Sequence, residues 1–212
     1  MKSLAHRQGE YLQQTLSNND INNKVLSQIS YDKIKQIVEQ CFNFFDNTFS
    51  DNHELVNTIN FEVTFMTKSY IDDEITIPAA SNKEHTQPRS MLKRKNDPST
   101  YNQTETAKIY EEYNRTHNVK IHVIPKTTRQ NDYHFLYEGQ NNRIRSSIVL
   151  PIVSHSNELL GTLVVHCNKD NFFEMKKEKF WKEILDIFAV EISNEKLFLD
   201  LLMKKTNENK IF

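Results

Sequence analysis

Glycine is nearly absent: Gly9, Gly139 and Gly161 are the only three in 212 residues, beside five prolines. Neither GxGxxG nor GxxxxGK(S/T) can be assembled from them, which excludes a glycine-rich phosphate cradle. Cysteine is as scarce. Cys41 and Cys167 lie too far apart in sequence for any metal-type spacing, and in a chain with no secretory signal they read as reduced thiols of a cytoplasm. The opening stretch MKSLAHRQGEYLQQ lacks the apolar core of a signal peptide. Nowhere is there a run of about 18 apolar residues that could span a membrane. Neither sign of charge dominates, with 27 basic and 28 acidic residues and a net charge of −1, so no overall field steers the chain to nucleic acid or anionic lipid. The nucleophile motif GxSxG and the zinc motif HExxH are also missing.

What is present reads as one domain with helical additions. Apolar residues make up 37% and charged residues 26%, values that are globular but polar. Residues 1–29, rich in Asn, Gln and Ser, read as a polar helical extension. From Ser30, a candidate N-cap, Ile34, Ile37, Val38, Cys41, Phe42 and Phe45 mark one face of a helix over 31–46. Cys41 lies inside that face and reads as a core thiol. Ile59, Phe61, Val63 and Phe65 alternate with polar residues, and after a turn at 70–73 Ile75 and Ile77 do the same, which predicts an antiparallel hairpin. Residues 80–103 are polar and aperiodic, the pattern of a long functional loop. Thr104 opens a further helix, VKIHVI (119–124) reads as a short strand, and 125–143 as loop.

A second hairpin follows in SSIVLPIVSHSNELLGTLVVHC, residues 146–167. Pro151 has no amide to give a ladder, so it belongs at an edge or a bulge. Gly161 within a strand predicts a close backbone approach that a side chain would block. From about Phe173 to Lys204 the chain reads as a long helix. Trp181, Leu185, Phe188, Ile192, Leu199 and Leu202 form its main stripe, and Leu197, Phe198 and Leu201 add apolar surface that calls for a partner helix.

The segment RSSIVLPI…NELLGTLVVH, with the closing helix FWKEILDIFAVEISNEKLFLDLL, resembles the GAF domain family over roughly residues 31–203. The resemblance implies an α/β (α+β) fold: a central antiparallel sheet with the N- and C-terminal helices packed on one face, occupying 30–204, and a flexible tail at 205–212. It also implies a small-molecule pocket on the opposite face, under loops 80–103 and 125–143. Asn168, Lys169, Phe173 and Glu178 stand where some members carry a cyclic-nucleotide motif, but Lys177 replaces its acidic residue, so that ligand is not expected. His122 and His166 read as ordinary strand histidines, and His166 and Cys167, being adjacent, face opposite ways; neither haem nor metal is expected. Members that reduce free methionine sulfoxide use clustered cysteines, which this chain lacks.

PRSMLKRK (88–95) concentrates cations without an intervening acid and reads as a lid over an anionic ligand. The expected ligand-binding residues are Arg89, Arg94, Tyr110, Tyr133, Tyr137 and Arg145, with Arg143 and Tyr101 in support. The reading is a cytoplasmic, non-enzymatic, stand-alone sensory module. It binds an unidentified small ligand, acts as a homodimer and signals to a protein partner through its terminal helices. No catalytic residue, metal, nucleic acid or membrane is expected. The alternative is a ligand-free scaffold for protein–protein contact; a small enzyme built on Cys167 is a further one.

Overall fold

The structure, a computed structural model, describes residues 21–50, 59–68, 75–81, 104–129, 133 and 140–208. The turn at 70–73, the polar segment 82–103 and residues 134–139 lie outside the described residues. Helix α1 spans Ile21–Phe49. Strands β1 (Phe61–Lys68) and β2 (Ile75–Ala80) form the first hairpin. Helix α2 (Glu105–Thr116), strand β3 (His122–Ile124), the one-turn helix α3 (Gln140–Arg143), strands β4 (Ser146–Val153) and β5 (Leu159–Cys167), and helix α4 (Glu178–Glu208) follow.

The expected face of α1 is buried: Ile34, Ile37, Val38, Cys41 and Phe45 all lie in the main core. Ser30 is not an N-cap. It is buried within the helix, because Ser30 and Leu26 carry the same stripe one turn and two turns upstream of Ile34. Likewise α4 begins at Glu178 rather than Phe173. Phe173 stands ahead of the 3-10 turn Met175–Lys177, fully buried, and anchors the chain before the helix starts. Among the described residues of 125–143, where the sequence reads as loop, the chain forms a 3-10 turn at Thr127–Arg129 and the α3 turn.

The sheet has the order β2-β1-β5-β4-β3, and every pairing is antiparallel. Helices α1 and α4 cover one face. Phe45, Phe49, Phe172, Phe173 and Trp181 knot the two helices together, with Phe173 and Trp181 at 5.2 Å and Phe49 and Phe172 at 5.5 Å between ring centroids. Helix α2 lies on the other face, where Ala107, Ile109 and Tyr110 pack with Met66, Val149 and Val164. Its ends are fixed differently. The Thr104 hydroxyl caps the N-terminus by accepting from the Ala107 amide. At the C-terminus the Tyr113 hydroxyl donates to the Asn157 carbonyl, and the Asn157 side-chain amide donates to the His117 carbonyl.

Pro151 stands on β4 beyond the reach of β3, which pairs only with Ser147, Ile148 and Val149, so the missing amide faces an open edge. The register of β4 slips just after it, between Ile152 and Val153. Gly161 is the expected point of close approach. A Cβ there would sit 2.5 Å from the Met66 carbonyl oxygen and 2.7 Å from the Phe65 ring. Phe65 is fully buried and the Met66 carbonyl belongs to the neighbouring strand, so neither can retreat. Gly161→Ala is therefore expected to destabilise the fold by about 2–3 kcal/mol, read by urea denaturation. A stability equal to the parent protein would show that β1 can shift away from β5.

Candidate functional site

Alternation along the strands divides the sheet into two chemistries. Phe61, Val63, Phe65 and Leu163, Val165, Cys167 point into the helix-covered core. The opposite face carries cross-strand rows fixed by register. One runs Glu62, His166, Ser147, Ile124; the next runs Thr64, Val164, Val149, His122. The first row is polar over three strands. The Ser147 hydroxyl, fully buried, lies 2.5 Å from His166 Nδ1, and the Tyr133 hydroxyl reaches toward the same oxygen at 3.5 Å. The Tyr133 hydroxyl donates to Ser147, and Ser147 and His166 Nδ1 share a hydrogen bond whose direction follows the imidazole tautomer. Arg143, from the α3 turn, donates to Glu62 at 2.5 Å. Beside this row, at the end of the sheet, opens a cleft of about 740 Å³, lined by Glu62, Arg143 and His166 together with Asn60, Ser81, Asn142 and Asn168 and with the aromatic rings of Phe42 and Phe61.

Helix α2 borders the polar row through a buried cluster. The Glu105 carboxylate receives Lys108 Nζ at 2.7 Å and sits 2.7 Å from His122 Nδ1, while Glu112 lies 3.7 Å from the other ring nitrogen. One turn-length away, the hydroxyls of Thr106 and Thr162 meet at 2.9 Å. Burial works to raise the Glu105 carboxyl, but the hydrogen bonds from His122 and Lys108 outweigh it and hold the group below its ordinary value. The hydrogen bond to Glu105 raises the His122 imidazole, against the opposing effect of burial. Burial and the nearby carboxylates raise the Tyr133 phenol, so it stays protonated.

The residues expected from sequence fare unequally. Tyr110 and Tyr133 are brought together, Tyr110 as a member of the α2 cluster and Tyr133 packed against it. Tyr110 is committed to structure: its hydroxyl accepts from the Lys68 amide, and its ring faces Lys68 Nζ at 5.3 Å from the centroid. Arg145 does not line the cleft. It sits just before the start of β4, where its Nε lies 3.8 Å from Asp170 and its amide donates to the Cys167 carbonyl. Arg89, Arg94, Tyr101 and Tyr137 lie outside the described residues. Sequence reasoning missed Glu62, Glu105 and Ser147, and took His122 and His166 for lone histidines. Cross-strand register brings Glu62, His166 and Ser147 together and the packing of α2 on β3 brings Glu105 to His122, and a two-residue period supplies neither.

The motif positions at the end of β5 serve the backbone. The Asn168 side chain accepts from the Asn60 amide, the Lys169 carbonyl accepts from the Ser146 hydroxyl, and Lys177 pairs with Glu174. Cys167 faces the core and His166 the other side, as adjacent strand residues must. Both thiols are buried, and burial pushes Cys41 up to about 12 and Cys167 up to about 11. Thiols held protonated in this way are poor nucleophiles. No group of three metal-ligating side chains occurs among the described residues, and no described helix is long and apolar enough to cross a membrane.

The charged tether between α2 and β3 has a defined pH range. The His122 contribution is complete below its ordinary value of 6.5 and is lost as pH rises through the raised folded value. The Glu105 contribution is complete above its ordinary value of 4.5 and is lost as pH falls through the lowered folded value. The tether is thus strongest between those limits. The stability advantage of the parent protein over His122→Gln should shrink by roughly 1 kcal/mol between pH 6 and pH 8.5 in urea titrations, a figure reduced for the partial exposure of the imidazole. A gap that does not change with pH would contradict a charged tether.

Residues 70–194 match the family model of the GAF domain. Among solved structures, the chain is similar to the GAF domain of phosphoenolpyruvate-protein phosphotransferase from Acinetobacter, with 11% identity over 84% of this chain and 92% of that one and a TM-score of 0.54. Type II free methionine-R-sulfoxide reductase from Thermoplasma acidophilum matches at 11% identity over 79% and 94%, TM-score 0.49. The GAF domain of a two-component sensor histidine kinase from Bacillus halodurans matches at 15% identity over 77% and 95%, TM-score 0.46. No curated protein matches the chain. The family model covers more than half of the sequence, and the sheet, its order and its flanking helices agree with it: the chain belongs to the GAF domain family.

Proposed function

We propose that this chain is a non-enzymatic sensory or regulatory module of the cytoplasm. It binds a small polar ligand at the row Glu62, His166, Ser147 and passes occupancy to a partner through α1 and α4. The observation that carries this reading is the placement of that row. Glu62 and His166 border the cleft together with Phe61 and with Phe42 of α1, both of which pack with the core beneath the two long helices. A ligand that moves β1 or β5 on one face moves the packing of α1 and α4 on the other. Those helices keep exposed apolar side chains for a partner: Val25 and Ile29 on α1, and Ile187, Val190 and Leu201 on α4. A second copy of the chain is the proposed partner. The cationic segment containing Arg89 and Arg94 is proposed, from its sequence, to close over an anionic group of the ligand.

A specific observation favours a second reading, the ligand-free scaffold. Arg143 already satisfies Glu62, and Ser147 already engages His166, so the row holds together without a guest.

Native mass spectrometry of the full chain, purified without added ligand, separates the two. A dimer carrying a non-covalent small-molecule adduct is expected, and the adduct should be lost on Arg143→Ala or on joint replacement of Arg89 and Arg94 by Ala. A bare dimer supports the scaffold, and a bare monomer overturns the dimer.

A further inference from the structure

A second site lies on the other side of the sheet, between the two long helices and the end of the β1–β2 hairpin. In α4, Leu185, Ala189, Ile192, Lys196 and Leu199 follow a 4-3-4-3 spacing, and all five are buried. Four are apolar and one is a lysine. The Lys196 side chain keeps only 7% of its surface exposed, and its Nζ lies 2.6 Å from Asp200 Oδ1. Removing an ammonium from water costs several kcal/mol even with a carboxylate beside it, so a leucine would serve a purely structural seam at least as well. Lys196 and its surroundings also enclose space: a cleft of about 200 Å³ whose walls are apolar at Ile34, Phe65 and Leu199 and polar at Thr67, Thr76 and Lys68 of the hairpin.

We infer that this cleft is a Schiff-base site, in which Lys196 Nζ captures a small, largely apolar aldehyde and Asp200 carries the proton. The chemistry balances without any further reactant. The Lys196 ammonium gives one proton to the Asp200 carboxylate, and the free amine adds to the carbonyl carbon. A proton moves from nitrogen to oxygen in the resulting carbinolamine. Asp200 then returns its proton to the hydroxyl, which leaves as water, and the iminium remains paired with the Asp200 carboxylate.

Three features suit this step. Burial pushes the Lys196 ammonium down to about 8, so free amine is present near neutral pH. The Lys196 side chain is almost shut off from solvent, which limits the water that would reverse the condensation. Burial and Asp200 raise the Tyr31 phenol, so Tyr31 remains a neutral donor beside the carboxylate. The site is independent of the polar row on the opposite face.

Butanal with sodium cyanoborohydride, applied to the full-length protein and followed by peptide mass spectrometry, tests the inference. Lys196 should be reductively alkylated at least about tenfold faster at pH 7.5 than Lys179, whose side chain is 91% exposed. Its rate should level off above about pH 8, while that of Lys179 keeps rising. Asp200→Asn should slow Lys196 several-fold without changing Lys179. Lys196→Met, which completes the apolar seam and so keeps the fold, should remove the fast phase. Labelling of Lys196 no faster than that of Lys179 would overturn the inference and leave Lys196 as a residue that only sets the register of the two helices.

Discussion

Six residue pairs join Phe61–Met66 of β1 to Thr162–Cys167 of β5, and this contact governs what each face of the sheet can be. With the register set, one set of side chains enters the aromatic knot beneath α1 and α4 and the other forms the polar row. A slip of one residue would send Phe65 to the polar side and Glu62 into the core. The contact tolerates only glycine at 161, because the backbone of β1 and the ring of Phe65 occupy the space a side chain would need. A residue without a side chain thereby protects the register that gives the other side chains their places.

The two faces are stabilised in different ways. The helix side relies on volume: Phe45, Phe173 and Trp181 are large, buried and in mutual contact. The α2 side relies on directed bonds. Its apolar cluster is small, and the Glu105 cluster and the paired hydroxyls of Thr106 and Thr162 supplement it. Dispersion contacts are indifferent to pH, whereas ionised hydrogen bonds are not. The α2 side thus responds to pH through the Glu105–His122 tether, and the helix side through the buried Lys196–Asp200 pair.

Most of the architecture was legible in the sequence. Two-residue alternation marked both hairpins, Thr104 marked the start of α2, and the apolar stripes marked the buried faces of α1 and α4. Pro151 and Gly161 could be read because each carries one unambiguous backbone consequence. Helix starts were less legible. Ser30 had the chemistry of a cap, but its burial beside the stripe from Leu26 to Ile34 kept it helical. The site was the least legible part. Tyr110 and Tyr133 could be singled out as aromatics but neither lines the cleft, and Glu62, Ser147, Glu105 and His122 acquire meaning only across strands or between a helix and a strand. Arg145 shows the converse, since its place at the start of β4 suggested the pocket and Asp170 draws it elsewhere.

The unequal ends of α2 carry a mechanical implication. At its C-terminus, Tyr113 and Asn157 bind it to the β4–β5 turn through uncharged hydrogen bonds. At its N-terminus the bond to β3 is ionic. If the Glu105–His122 bond is lost, the first turn of α2 is still held by the Thr106–Thr162 hydroxyl pair and by the buried Ala107 and Ile109, so the ionic bond trims the hold on that end without being its sole fastening.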